Sequence, residues 1–396
     1  MNLLDTASLV VTPNGYKASK LYSIIPSDGS GDMTFARTGD TATRVNSSGL
    51  IETVLANKPR LDYLGSTCPK LLLEPQRTNL NLDSQDVSSG NWLSSNVAIS
   101  VNQTNSPSGV QNADLITGNA GTSVKYVSPV ISAGGPYTFS CFVKSGTQQF
   151  IQLMDVNDVQ HYANFDIINK TVGNNGSKTT SKIEDYGNGW LRLSSYFSGS
   201  GFYPRVYFVN SLTAAWNATS TSTNNFYLWG VQSETASYAT SYIPTTTASV
   251  TRNADSCNKT GISSLIGQTE GTILWDINFN TRNISGGYFG LRDISIPNYI
   301  MFGFGSSSFN AQIYNSGTNI IYSTFSNSST GRFKLCIAYK NNDYVFYANG
   351  NLIGSASTGT VPTCNEVFNQ TEYLVNSILL WKTRLTNQEL VTLTTI

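Results

Sequence analysis

Four Asn-Gly dipeptides, Asn14-Gly15, Asn175-Gly176, Asn188-Gly189 and Asn349-Gly350, each stand between short apolar runs. Asn and Gly tolerate the positive φ angles that two-residue hairpin turns demand, so antiparallel hairpins are the expected local unit. The runs between the turns alternate. Ile273, Trp275, Ile277 and Phe279 fall on one face of an extended segment, with Leu274, Asp276 and Asn278 on the other, and Tyr137, Phe139, Cys141 and Val143 repeat the pattern. Helical signals are scarce. Thr386-Asn387-Gln388-Glu389 ahead of Leu390 and Leu393 reads as a capping box, in which hydroxyl and carboxylate each satisfy an orphan amide, and predicts one short C-terminal helix. A further turn is expected around residues 261–265.

A chain of 396 residues is expected to form two or three domains, at roughly 150 residues each. Two polar stretches that lack strand periodicity, near residues 79–89 and 251–271, divide it into regions 1–80, 81–255 and 256–396. The first region holds short strands and many turns, so its apolar side chains are expected to need a partner surface or sister chains for burial. Lys+Arg 24 against Asp+Glu 24, with no basic cluster to neutralise a row of phosphates, argues against nucleic acid as a partner. Met1-Asn2-Leu3-Leu4-Asp5 lacks the basic-then-apolar pattern of a signal peptide, and no apolar run is long enough to span a bilayer. A soluble chain without membrane insertion or export by that route is therefore expected. The five cysteines, odd in number and without a C-x-x-C pair, read as reduced and mostly buried thiols.

Several strings in the first region, Phe35-Ala36-Arg37, Ala42-Thr43-Arg44-Val45, Pro59-Arg60-Leu61-Asp62-Tyr63 and Leu72-Leu73-Glu74-Pro75-Gln76-Arg77-Thr78-Asn79, resemble the start of tailed-bacteriophage head or tail fibre proteins. Tyr137-Thr138-Phe139-Ser140, Gly187-Asn188-Gly189-Trp190, Leu228-Trp229-Gly230-Val231-Gln232-Ser233-Glu234 and Ser241-Tyr242-Ile243-Pro244-Thr245 continue that resemblance and, in such proteins, frame a carbohydrate-binding-module-like jelly roll. Gly271-Thr272-Ile273 through Tyr347-Ala348-Asn349-Gly350 to Leu380-Trp381-Lys382-Thr383-Arg384-Leu385-Thr386 resembles a concanavalin A-like, laminin-G-like lectin sandwich.

The resemblance implies an all-β chain: a short N-terminal attachment region in residues 1–80, a jelly roll in 81–255, and a concanavalin A-like sandwich in 256–396, with one short C-terminal helix. It implies a virion structural protein made in the host cytoplasm and displayed on the virion surface. Such a protein is expected to be a homotrimer attached through its first region to phage capsid or tail proteins, and to contact host-cell polysaccharide during host attachment. Head and tail positions stay open. So do three alternatives: a purely structural capsid decoration protein, a glycan hydrolase of the virion, and a bacterial glycan-scavenging surface protein, which would have to be exported.

The residue inventory offers no familiar catalytic constellation. Two positions beyond each glutamate there is no acid, so the Glu-x-Asp pattern of concanavalin A-like hydrolases is missing. Adjacent Glu184-Asp185 would face opposite sides of a strand. His161 is the only histidine, and no Gly-x-Ser-x-Gly elbow presents a nucleophile. A non-enzyme is expected, Asp155 with Asp166 being the acid pair that a hydrolase reading would use. The stretch 173–179 has the wrong spacing for a phosphate loop and reads as a hairpin turn. No cofactor is expected, apart from a calcium ion for which Asp155, Asn157 and Asp158 offer hard oxygens without completing an EF-hand. Sugar rings stack their C–H faces on aromatics while their hydroxyls bond amides and acids. His161, Tyr162, Tyr203 and Tyr207 in the middle region, and Tyr288, Tyr299 and Tyr314 in the last, are the candidate glycan contacts. Trp190 and Trp229 read as core.

Overall fold

The structure, a computed structural model, describes residues 3–131, 134–199, 201, 203–279, 287–293, 295–305, 307–370 and 373–396, with Gln370 described by its backbone alone. Strands dominate, and among the described residues the only helical segments are a 3-10 turn, Leu3–Thr6, and the C-terminal helix Asn387–Thr394. The capping box is present: Thr386 Oγ1 accepts from the Glu389 amide at 3.3 Å, and Glu389 Oε2 accepts from the Thr386 amide at 2.7 Å. The turn near 261–265 is also present, Gly261 taking φ 73° and the Leu265 amide bonding the Ile262 carbonyl.

The middle region forms a sandwich of two six-stranded antiparallel sheets. One runs Val97–Asn105, Gln111–Gly118, Asn225–Glu234, Tyr137–Ser145, Trp190–Phe197, Thr179–Gly187. The other runs Thr171–Asn175, Tyr162–Asp166, Phe150–Asp155, Pro204–Phe208, Tyr126–Pro129, Trp92–Ser95. Tyr137, Phe139, Cys141 and Val143 meet Ile151, Leu153, Phe165 and Val206 between the layers. Asn188-Gly189 makes the hairpin its composition predicts, with φ 53° and 81°. Asn175-Gly176 does something else: it leads from one sheet to the other, and a Cβ at residue 176 would lie 1.9 Å from the Gln160 carbonyl oxygen. Glycine is needed there for close approach rather than for a hairpin. Asn14-Gly15 likewise sits inside the strand Leu9–Lys17, where the pairing with Lys20–Ile25 slips between Val11 and Tyr16.

Sixteen of the remaining strands build one further sandwich, in which the first and last regions share a sheet and a core. Leu9–Lys17 pairs with Tyr373–Trp381, bringing Leu9 opposite Leu380, and Lys70–Leu73 pairs with the same strand through Leu71 opposite Val375. Ser256–Thr260 joins the layers, pairing with Met33–Ala36 on one side and Glu366–Gln370 on the other. Leu9, Met33, Phe35, Leu61, Leu71 and Leu73 pack in a single core with Ile273, Trp275, Ile277, Phe289 and Phe302. The burial expected to come from sister chains thus comes from the chain's own C-terminal region. On the opposite face of that sheet, Leu274, Trp381 and Cys336 are covered by Leu385 and by Leu390 of the helix.

The chain enters and leaves the middle sandwich side by side, because Arg77–Asn79 pairs antiparallel with Val250–Arg252. An ion cluster is buried beside this neck. Arg60, fully buried, bonds Glu74 Oε2 at 2.7 Å and also pairs with Asp255. Arg37 holds Asp255 Oδ1 at 3.2 Å, and Arg252 holds Glu74 Oε2 at 3.0 Å. The hydroxyl and amide of Ser241, on the exit segment, donate to Glu74 at 2.6 and 2.7 Å. Burial alone would raise the Glu74 carboxyl, but Arg252 and Arg60 hold it far below the usual carboxylate range. Five ions taken from water are tolerated only while each has its partner, and removing one leaves an uncompensated charge that costs about 3–5 kcal/mol. Asp255→Asn should therefore lower the chemical unfolding midpoint by an amount equivalent to about 3–5 kcal/mol; a loss below about 1 kcal/mol, the range of exposed pairs, would show that the cluster is solvated.

Candidate functional site

Strict alternation in one layer of the second sandwich creates a patterned outer face. In Gly287–Asp293, Asn298–Phe304, Ser308–Asn315 and Thr318–Ser326, the residues Phe289, Leu291, Ile300, Phe302, Phe309, Ala311, Ile313 and Ile321 enter the core. Their neighbours face out. Cross-strand register places these outward residues in rows: Tyr288, Gly303, Asn310 and Thr324 form one, and Phe368, Gly290, Met301, Gln312 and Tyr322 form the next. A third contains Glu366, Arg292, Tyr299 and Tyr314.

Tyr288 and Tyr322 are the exposed aromatic members of the face, at 41% and 55%. Gly303 makes the floor between them possible, because a Cβ there would meet Asn310 Oδ1 at 2.4 Å and Tyr288 Cε1 at 2.9 Å. The Gln312 amide donates to Asn310, fixing both side chains along the sheet. Arg292 grips Glu366 with two bonds, at 2.7 and 3.1 Å, and lies over the Phe368 ring at 4.5 Å. Tyr299 and Tyr314 meet edge to face, with centroids 6.2 Å apart at 87°. The result is a shallow surface with exposed tyrosine rings, a glycine floor, oriented amides and an anchored guanidinium. Such a surface offers apolar faces and directed hydrogen bonds side by side.

The structure thus brings Tyr288, Tyr299 and Tyr314 onto one face. The signal for Asn310 and Gln312 was present in the alternation of 308–315, and Tyr322 follows from pairing the next strand by hairpin register; Arg292 carries no sequence signal of its own. The candidates of the middle region gather elsewhere and differ in availability. Tyr207 is fully buried, its hydroxyl donating to Asn217 Oδ1 at 2.7 Å and its ring stacked 5.1 Å from Tyr126. Its cover is the segment 212–217, tied down by Asn164 to the Leu212 and Ala214 carbonyls and by Trp216 to the Asp155 carbonyl. His161 is 1% exposed and packs 5.5 Å from Phe197, with neither ring nitrogen hydrogen-bonded. Tyr162 is half-buried and Tyr203 exposed.

The calcium candidates are occupied by the fold. Asp155 is fully buried and accepts from the Tyr137 hydroxyl at 2.7 Å, the Asn157 amide at 2.8 Å and the Tyr203 amide at 3.3 Å. Asp158 accepts from Lys178 at 2.9 Å. Among the described residues, no group of three or more His, Cys, Asp or Glu side chains is placed to hold a metal. Asp155 and Asp166 do not form an acid pair. Phe150 lies opposite Asp166, so Asp155 stands five strand positions away, about 16 Å at strand rise. Glycosidase acids lie roughly 5–9.5 Å apart.

Burial pushes the His161 pKa down, against the attraction of Asp158 and Asp155. The unfolded chain then binds a proton more readily than the folded one, so stability contributed by neutral His161 is complete above the ordinary histidine range and is lost as pH falls through it. Thermal melts at pH 7 and 5 should show a larger drop in Tm for the wild type than for His161→Leu; equal drops would show that the ring is solvated.

No family model matches the sequence, and no curated protein matches it. Among solved structures, a botulinum neurotoxin type C structure is similar at 13% identity and TM-score 0.31, over 36% of this chain and 39% of that one. The Ruminococcus gnavus IT-sialidase CBM40 is similar at 11% identity and TM-score 0.28, over 33% and 86%. A Bacillus licheniformis β-glucanase is similar at 10% identity and TM-score 0.28, over 33% and 72%. This chain spans 39% of the neurotoxin chain's length.

Proposed function

We propose that this chain is a non-catalytic glycan-binding protein, carried on a virion as a head or tail fibre, and that it engages host-surface polysaccharide through the face bearing Tyr288 and Tyr322. The observation that supports this reading best is the combination on that face of exposed tyrosine rings with the fixed amides of Asn310 and Gln312. A pyranose can lay its C–H face on a ring while its hydroxyls reach the amides. The virion setting is supported by the resemblance of the first-region strings to phage fibre proteins. A non-catalytic role fits the carboxylate inventory of the face: within the three rows the acid is Glu366, 5% exposed and held by both bonds of Arg292. An open face of this kind binds weakly, and a trimer repeated over a particle raises the strength through avidity.

Tyr288→Ala and Tyr322→Ala should each weaken binding of the soluble chain to host envelope polysaccharide about fivefold or more on a glycan array, consistent with roughly 1 kcal/mol per stacked ring. Absence of binding to any host polysaccharide by the wild-type chain would overturn the glycan reading and leave a capsid decoration role.

A further inference from the structure

We infer that the cleft between the two sandwiches is a second binding site, built for an uncharged oligosaccharide segment. The cleft encloses about 510 Å³, inside the range of roughly 300–1,000 Å³ typical of ligand sites, and draws its walls from all three regions of the chain. Its floor is the outer face of the middle sheet, where Thr180 lies opposite Tyr196, Lys182 opposite Ser194 and Glu184 opposite Arg192. Tyr238, on the segment leaving that sheet, lines a separate wall and is fixed by Arg77, which donates to its hydroxyl at 3.0 Å.

Two observations select the ligand. First, the charges lining the cleft balance: Lys70, Lys182 and Arg192 against Asp62, Glu74 and Glu184. Lys182 bonds Glu184 at 2.8 Å, and Glu74 is bound by Arg60. A polyanion or polycation would meet its own sign as often as its opposite, whereas a neutral polyhydroxyl chain meets donors and acceptors without that cost. Second, the floor sets hydroxyls beside a ring, Thr180 lying opposite Tyr196 and Ser194 two positions along the same strand from it, so a pyranose meets stacking and hydrogen-bonding partners together. Tyr196 and Tyr238 supply rings for stacking, and Thr180 and Ser194 supply hydroxyls beside Tyr196. None of these residues belongs to the Tyr288–Tyr322 face, so the two sites succeed or fail separately.

Hydrogen exchange of the full chain, with maltohexaose, cellohexaose and mannohexaose at millimolar concentration and hexagalacturonate and chitosan hexamer as charged counterparts, tests the site. At least one neutral oligosaccharide should slow exchange in 179–187 and 236–242, and the charged ones should do so at least tenfold more weakly. Thr180→Trp, an exposed position whose new ring would fill the cleft, and Tyr196→Ala should each weaken this protection at least fivefold while leaving exchange across 298–326 unchanged. No protection of 179–187 by any neutral oligosaccharide, equal protection by the charged ones, or indifference to both substitutions would overturn the inference. Protection confined to 298–326 would do so while leaving the Tyr288–Tyr322 face standing.

Discussion

The architecture of this chain turns on a largely buried cluster of five ions. Arg37 and Arg60 come from the first region, Glu74 from the connection just before the strand that enters the middle sandwich, and Arg252 and Asp255 from the segment after it. Their bonds tie the entering strand, the leaving strand and the first region into one neck. Such a cluster is a poor source of net stability, since hydrophobic groups of the same shape would often serve as well, but it tolerates one arrangement only. A neutral neck could slide or twist by a residue. Here a shift would strand a buried charge, and the relative setting of the sandwiches, with the walls of the cleft between them, follows from that intolerance.

Much of the architecture was legible because it depends on local rules. Alternation in 273–279 and 137–143 depends on the pleat, and the capping box on two amides within one turn, so short stretches of sequence contain the whole cause. What was illegible depends on distant partners. Gly176 reads as a turn residue until the Gln160 carbonyl is seen against it. Residues 3–79 read as a segment lacking a core because their core is contributed by strands about three hundred residues later.

The candidate ligands divided by the same rule. Tyr299 and Tyr314 share a face because neighbouring strands preserve alternation through a hairpin. Tyr207 also stands in a strand, yet the 212–217 segment supplies Asn217 to its hydroxyl, and nothing local in 203–208 announces that partner. Asp155 shows the converse: an acid beside Asn157 and Asp158 looks like a metal loop, whereas its oxygens organise Tyr137 and the Tyr203 amide. Trp190 and Trp229 are core as expected, but of a separate cluster, where Val45 and Ile51 of the first region press onto the outer face of the middle sheet.

The adjacency of Arg77–Asn79 and Val250–Arg252 bears on how the chain reaches this state. Leu9 must find Leu380, a pairing that would normally demand closing an enormous loop and would make folding slow. The middle sandwich carries all its strands within its own span, so its pairings need nothing from the last strands and can close before them. Once it closes, its two ends stand side by side, and the residues between them no longer count toward the loop. The insert behaves as a staple, converting a search across the whole polypeptide into one between two short tails already held at a common point.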